Sequence, residues 1–364
     1  VKSAFRFTAL AGVAALTLAA CGSAPEETTG ESGESAAPAS DFSACIVSDQ
    51  GGFDDKSFNQ LSYEGAKKAS DELGAQFKEV QSASDSDFKP NLQSLVDQSC
   101  DTIVSVGFAL SAATIESATA NPETHYIIVD DAADADFDGT TDAENIKPLL
   151  YNTAEAAFLA GYLSAGYSEA GKVGTFGGAP YPTVTIFMDG FKQGVEYYNE
   201  ANGTEVEVIG YEGGEEGAFT GEFVANETAK TTAKNILDQG VDVILPVGGP
   251  IYQSAIAAIE DSGRDVALVG VDADFYETDP TTQPFVLTSI LKKMDTSTYE
   301  AVLASGEGSF DASTYVGTLE NEGVGLAPLH DFESKVDPAL WEETMALQEQ
   351  IIAGEVEVTS YLAE

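Results

Sequence analysis

Basic residues are scarce in this chain: 16 lysines and arginines stand against 61 aspartates and glutamates, for a formal net charge of −45. That balance argues against nucleic-acid polymers as ligands, because binding phosphates needs a basic patch. It also argues against docking by charge onto an anionic membrane face. A solvated acidic surface accounts for the excess, which bears on solubility more than on fold. Histidine is nearly absent. His125 and His330 are the two, and neither has a nucleophile or a metal-ligand neighbour in sequence. No G-x-S-x-G, H-E-x-x-H or P-loop pattern occurs. Carboxylate pairs could in principle support glycoside hydrolysis, including nucleoside cleavage, and a surface sensor or adhesin for a partner protein is a further alternative. A binding role without catalysis, cofactor or metal is the preferred reading.

Cysteine is equally sparse, with three in all. Cys21 follows Leu18-Ala19-Ala20 and closes a segment with a basic start (Lys2, Arg6) and a charge-free apolar run from Ala9 to Ala20. Such a run is too short for a membrane span and reads as a secretory signal peptide. A cysteine at the cleavage point resembles the lipobox of bacterial lipoproteins, in which the thiol takes the lipid. That implies anchoring at the cell membrane, on its extracytoplasmic face. Every residue from Gly22 to Ser40 is Gly, Ser, Thr, Ala, Pro or Glu, a composition with no apolar surface to bury and the character of a flexible tether. The remaining pair, Cys45 and Cys100, is a disulfide candidate in an exported protein. Cys45 lies near the start of the first strand and Cys100 just before the third, and these strands can be neighbours in a doubly wound sheet. Two free buried cysteines are the alternative.

From Asp41 onward, short β-rich runs alternate with helical patterns. Ala44 to Ser48, Gln76 to Val80, Thr102 to Val106 and Tyr126 to Val129 read as strands. Between them lie a helix from Phe58 to about Leu73, opened by a Ser57/Gln60 capping box, and amphipathic stretches around 91–98 and 111–120. After a helix over Thr153 to Tyr167 the plan repeats, with strands near 172–176, 205–210, 241–246 and 266–271. The fold class is therefore α/β, with two doubly wound lobes and a cleft between them. Residues 1–20 form the signal peptide and 21–40 the lipidated cysteine and linker. Residues 41–150 form the first lobe, with a return segment near 285–310, and 151–284 the second, completed by 311–364.

Ligands of open parallel sheets sit beyond the carboxyl ends of the strands. Asp49-Gln50-Gly51-Gly52 and Asp130-Asp131 occupy such ends in the first half; Gly177-Gly178, Gly248-Gly249 and Asp272-Ala273-Asp274 do so in the second. Strand-to-helix turns explain the glycines. The aspartates aim carboxylates into the cleft from two sides.

The stretch from Asp49 to Gln60, DQGGFDDKSFNQ, resembles the signature of the basic membrane protein family of ABC-importer substrate-binding lipoproteins, similar to purine-nucleoside receptors. Further matches follow in order: Phe158 to Tyr162, Gly171 to Gly174, Asp189 to Phe191, Gly240 to Ile244, Gly270 to Asp274 and Ser289 to Lys293. The resemblance implies a type I periplasmic-binding-protein fold, a monomer that holds a purine nucleoside between its lobes and presents it to a permease. It places Asp49, Phe58 and Asn59 on the first-lobe wall with Asp130 beside them, and Phe223 as the second stacking ring, with Phe219 as its competitor. Gly249, Asp272 and Lys292 would line the second wall and the ribose end. These residue types suit the ligand: aromatic rings sandwich a purine, carboxylates accept from its edge, and ribose hydroxyls pair with an Asp and a Lys. Asp134, Asp136 and Asp138 followed by Gly139 mimic the start of a calcium loop, but position 12 is Asn145 and a strand precedes it. An acidic surface loop is the preferred reading.

Overall fold

The aliphatic and β-branched runs become buried parallel strands, and the stretches with three- and four-residue apolar spacing become helices laid on their faces. The computed structural model describes residues 40–362; the expected signal peptide, Cys21 and the linker as far as Ala39 lie outside the described residues. The chain begins with β1 (Ser43–Val47), α1 (Phe58–Glu72), β2 (Gln76–Val80), α2 (Phe88–Asp97) and β3 (Thr102–Val106). It continues with α3 (Ser111–Ala120), β4 (His125–Val129), β5 (Ile146–Tyr151) and α4 (Thr153–Tyr167). Next come β6 (Lys172–Gly177), α5 (Pro182–Asn202), β7 (Glu207–Ile209) and a small hairpin of β8 (Tyr211–Gly213) and β9 (Glu216–Gly217). Then follow α6 (Glu227–Leu237), β10 (Val243–Val247), α7 (Ile251–Ser262), β11 (Ala267–Asp272) and α8 (Phe275–Thr278). The last elements are β12 (Val286–Lys292), α9 (Met294–Gly306), β13 (Tyr315–Gly317), β14 (Val324–Leu326) and α10 (Pro338–Ile352).

Two six-stranded sheets result, in the orders β13-β5-β4-β3-β1-β2 and β14-β12-β11-β10-β6-β7. Strand for strand the orders correspond, so one plan is used twice. They differ at one edge, where β13 runs parallel to β5 but β14 runs antiparallel to β12. Cys45 on β1 and Cys100 ahead of β3 are joined in a disulfide, and β1 and β3 are direct neighbours.

The expected return segment is corrected in its first part. β12 stays in the second sheet between β11 and β14, because a strand buried along nearly its whole length needs a neighbour on each side. Only α9 crosses to the first lobe, where Gly65 of α1 meets the backbone of Asp295 so closely that a side chain could not be added. Nor does 311–364 belong wholly to the second lobe, since β13 pairs with β5 at the edge of the first sheet. The strand β5 carries Pro148, a residue that argues against an interior strand and hides it from sequence patterning.

The chain thus passes between the lobes three times, at Asn152, at Lys293 and along 318–323. These passages are laced together: Asn152 N donates to Gly317 O at 2.8 Å, and Lys293 N donates to Gly323 O at 2.9 Å. The Glu155 carboxylate accepts from Asn152 Nδ2 at 2.8 Å and from Leu319 N at 2.7 Å. Three adjacent crossings make a hinge that can bend while keeping the lobes in register.

Candidate ligand-binding cleft

Both lobes aim the carboxyl ends of their strands at one space. Within each sheet the order reverses beside the first strand, the place where open α/β sheets bind ligands. A cavity of about 170 Å³, partly open to solvent, lies there, and its walls include Asp49, Phe58, Asn59, Asp130, Phe223, Gly249, Asp272 and Lys292. All eight residues expected from the sequence therefore meet around one space. Phe219 is not among its lining residues; its ring stands against Gly177 and Gly217.

The first-lobe wall is built on the turn after β1. Asp49 Oδ1 accepts from Gly51 N at 3.0 Å and from Asn59 Nδ2 at 2.7 Å. Burial outweighs these bonds and lifts the Asp49 carboxyl to about 6. The expected capping box at Ser57 does not form. Asp55 holds the start of α1 instead, accepting from the backbone N–H groups of Ser57, Asn59 and Gln60 at 3.0, 2.9 and 3.1 Å. A carboxylate there satisfies several free donors at once and suits the positive end of the helix. Ser57 is thereby released to reach across the cleft, donating from Oγ to Asp272 Oδ2 at 2.8 Å.

The floor is charged and buried. Asp130 ends β4 and Asp272 ends β11, both in left-handed backbone conformation, at φ +67° and +65°. This conformation is costly for aspartate and turns each side chain out of the strand direction. Lys292, at the end of β12, donates to Asp130 at 2.5 Å and lies 3.9 Å from Asp272. The three residues are 4%, 5% and 2% exposed. Burial raises both carboxyls, Asp272 to about 6, against the pull of the ammonium. Asp130 thus comes from the first lobe, whereas its ion-pair partner Lys292 comes from the second. The ammonium also sits 4.9 Å from the ring centre of Phe187 and 5.6 Å from that of Phe58, within cation–π range.

Glycines seat the aromatic walls. A methyl group on Gly178 would fall 2.5 Å from Phe223 Cδ1, and one on Gly248 2.8 Å from the same atom, so this ring lies flat on bare backbone. In the first lobe, a methyl group on Gly107 would fall a looser 3.4 Å from the Phe58 ring. Lining residues given no role from the sequence include Asp55, Phe108, Tyr181 and Phe187. Phe108 and Tyr181 follow strand ends, so the placement that picked out the aspartates would have found them too. Phe187 sits in mid-helix and gave no such signal.

The loop from Asp134 to Asp142 is exposed at the surface. Asp134, Asp136 and Asp138 bring one oxygen each within 4.8 Å of one another, but loop N–H groups occupy them, with Gly139 N donating to Asp134 at 2.9 Å and Thr140 N to Asp138 at 2.9 Å.

The family described as ABC transporter substrate-binding protein, PnrA-like (Bmp) matches residues 42–361. The chain belongs to this family. As a Bmp protein it is a substrate-binding component of ABC transport, not an enzyme, and it serves a small-molecule ligand and a permease. It is 28% identical over 360 residues to the CD4+ T-cell-stimulating antigen of Listeria innocua, which spans 94% of each chain. It is 26% identical to the ABC transporter nucleoside-binding protein BmpA of Lactococcus lactis, across 99% of each. A solved ABC-transporter solute-binding protein from Aeropyrum pernix has the same fold, with a TM-score of 0.77 at 26% identity over 88% of this chain and 93% of that one. Among the described residues no helix is long and apolar enough to cross a membrane.

Proposed function

We propose that this Bmp protein captures a purine nucleoside in the cleft and delivers it to an ABC permease while tethered outside the cytoplasm by lipid on Cys21. The cleft itself carries the reading: two aromatic walls, Phe58 and Phe223, face a space that ends in a buried Asp130–Lys292–Asp272 cluster. Flat π-surfaces suit a base, and paired acceptors with one ammonium suit vicinal hydroxyls. Asp49 and Asn59 line the same cavity and suit the base edge. The nucleoside-binding name of the Lactococcus relative supports the same reading, as does the lipobox-like Leu18-Ala19-Ala20-Cys21 for the anchor. Closing of the lobes over the ligand would give the permease a shape to select.

Calorimetric titration with adenosine, guanosine, inosine and the free bases tests the proposal. Saturable binding of a nucleoside, tighter than that of its base, is expected. Phe58→Ala and Phe223→Ala should each weaken it by about 1–3 kcal/mol, the usual worth of stacking on a base. If no nucleoside binds and a sugar or amino acid saturates the site, the nucleoside reading is wrong.

A further inference from the structure

We infer that Phe108 and Tyr181 form an aromatic latch across the mouth of the cleft, which sets how long a ligand stays bound rather than which ligand is chosen. The two rings stack with centroids 5.0 Å apart and planes 28° from parallel. Phe108 follows Gly107 at the end of β3 in the first lobe, whereas Tyr181 caps α5 in the second. The stack therefore joins two bodies that meet through the hinge. Both rings border the cavity and both are partly exposed, unlike the buried charges of the floor. The stack therefore lies between the lobes, on the solvent side of that floor.

The Tyr181 ring has a stiff mount. Pro180 and Pro182 flank Tyr181, whose N–H donates to Ala179 O at 2.8 Å and whose carbonyl accepts from Val184 and Thr185 N–H, each at 2.9 Å. On its other face Tyr181 lies 5.9 Å from Phe223, 19° from parallel. Opening the hinge must separate Phe108 from Tyr181, whereas the Tyr181–Phe223 pair moves as part of one lobe. The broken stack thus adds to the barrier for release and contributes nothing to telling one base from another.

This inference rests on the cleft being the ligand site, and its tests separate the two. The first is cross-linking by a short bis-maleimide of the full chain carrying Phe108→Cys and Tyr181→Cys, with Cys21→Ser to leave only the new thiols. Cross-link between the two positions should exceed that of a control pair with the second cysteine elsewhere on the second lobe, and adenosine should raise it severalfold. Yield no higher than the control, with and without adenosine, overturns the latch. Specific cross-linking that adenosine does not change, together with no adenosine binding by the wild type, leaves the latch standing and removes the nucleoside reading.

The second test is the rate of adenosine release in a dilution chase. Phe108→Ala and Tyr181→Ala should each speed release about three- to tenfold, as the worth of one aromatic pair implies. The double variant should be no faster than the faster single one, Tyr181→Phe should be close to wild type, and the adenosine-to-inosine preference should not move. Multiplying effects in the double variant, or a changed preference in either single one, overturns the latch.

Discussion

Replacing Lys292 by methionine tests the floor of the cleft most directly. The change keeps an unbranched side chain of similar length and removes only the ammonium that lies 2.5 Å from Asp130 and 3.9 Å from Asp272. Two buried carboxylates then face each other without a cation. Removing one member of a buried ion pair typically costs about 3–5 kcal/mol, because the partner is left charged and dry. Against a folding free energy of about 5–15 kcal/mol that is a large fraction. The sign of the pH dependence follows from the carboxyls already being raised in the folded protein. A carboxyl whose folded pKa lies above its unfolded value destabilises fully once ionised, and its cost fades as the pH falls toward the unfolded value of about 3.9. Without Lys292 both carboxyls rise further. The variant should therefore unfold at markedly lower urea than wild type at pH 7, and regain much of the loss at pH 5. Adding Asp130→Asn should restore part of the stability at pH 7. A Lys292→Met protein with a wild-type urea midpoint at pH 7, or with an equal loss at both pH values, would refute the reasoning.

Gly178→Ala should lower ligand affinity without touching a polar group, since the new methyl displaces the Phe223 ring that lies on it; calorimetry that gives wild-type affinity would count against Phe223 as a wall. Cys45→Ser with Cys100→Ser opens a loop of 55 residues and should cost about 4 kcal/mol in the chain-entropy treatment, read as a drop in melting temperature that reductant reproduces in the wild type. Burial holds Asp49 at about 6, so its ionisation above that value costs stability; Asp49→Asn should flatten the decline in melting temperature from pH 5 to pH 7, and an unchanged slope would show that the carboxyl is not dry. Cys21→Ala should abolish acyl labelling in cells, and undiminished labelling would remove the lipid anchor.

Much of the architecture is a local matter and could be read along the chain. Strands and helices alternate because short continuous apolar runs give way to stretches with apolar residues at a 3.6-residue period, and the second half repeats the first because the same alternation returns after α4. Strand-end placement was enough to collect Asp49, Asp130, Asp272 and Gly249 in one place, since a parallel sheet sends all those ends to one edge. The near-full occupancy of α4 by buried residues, by contrast, blurs any periodicity that would show which lobe it serves. The edge strands β13 and β14 are three residues each, too short to carry a pattern.

The sequence by itself determined the two-lobed α/β plan, the neighbouring cysteines and the residue types of the cleft, because periodicity, turn chemistry and strand ends act over a few residues. Only the tertiary structure decided which partners those residues take. Asp130 and Lys292 lie 162 positions apart, and Ser57 and Asp272 lie 215 apart. Such pairs exist because three hinge passages bring two independently formed sheets face to face. Asp55 rather than Ser57 caps α1 for the same reason: a hydroxyl that could serve its own helix is engaged by a carboxylate from the other lobe, and that carboxylate arrives only when the lobes meet.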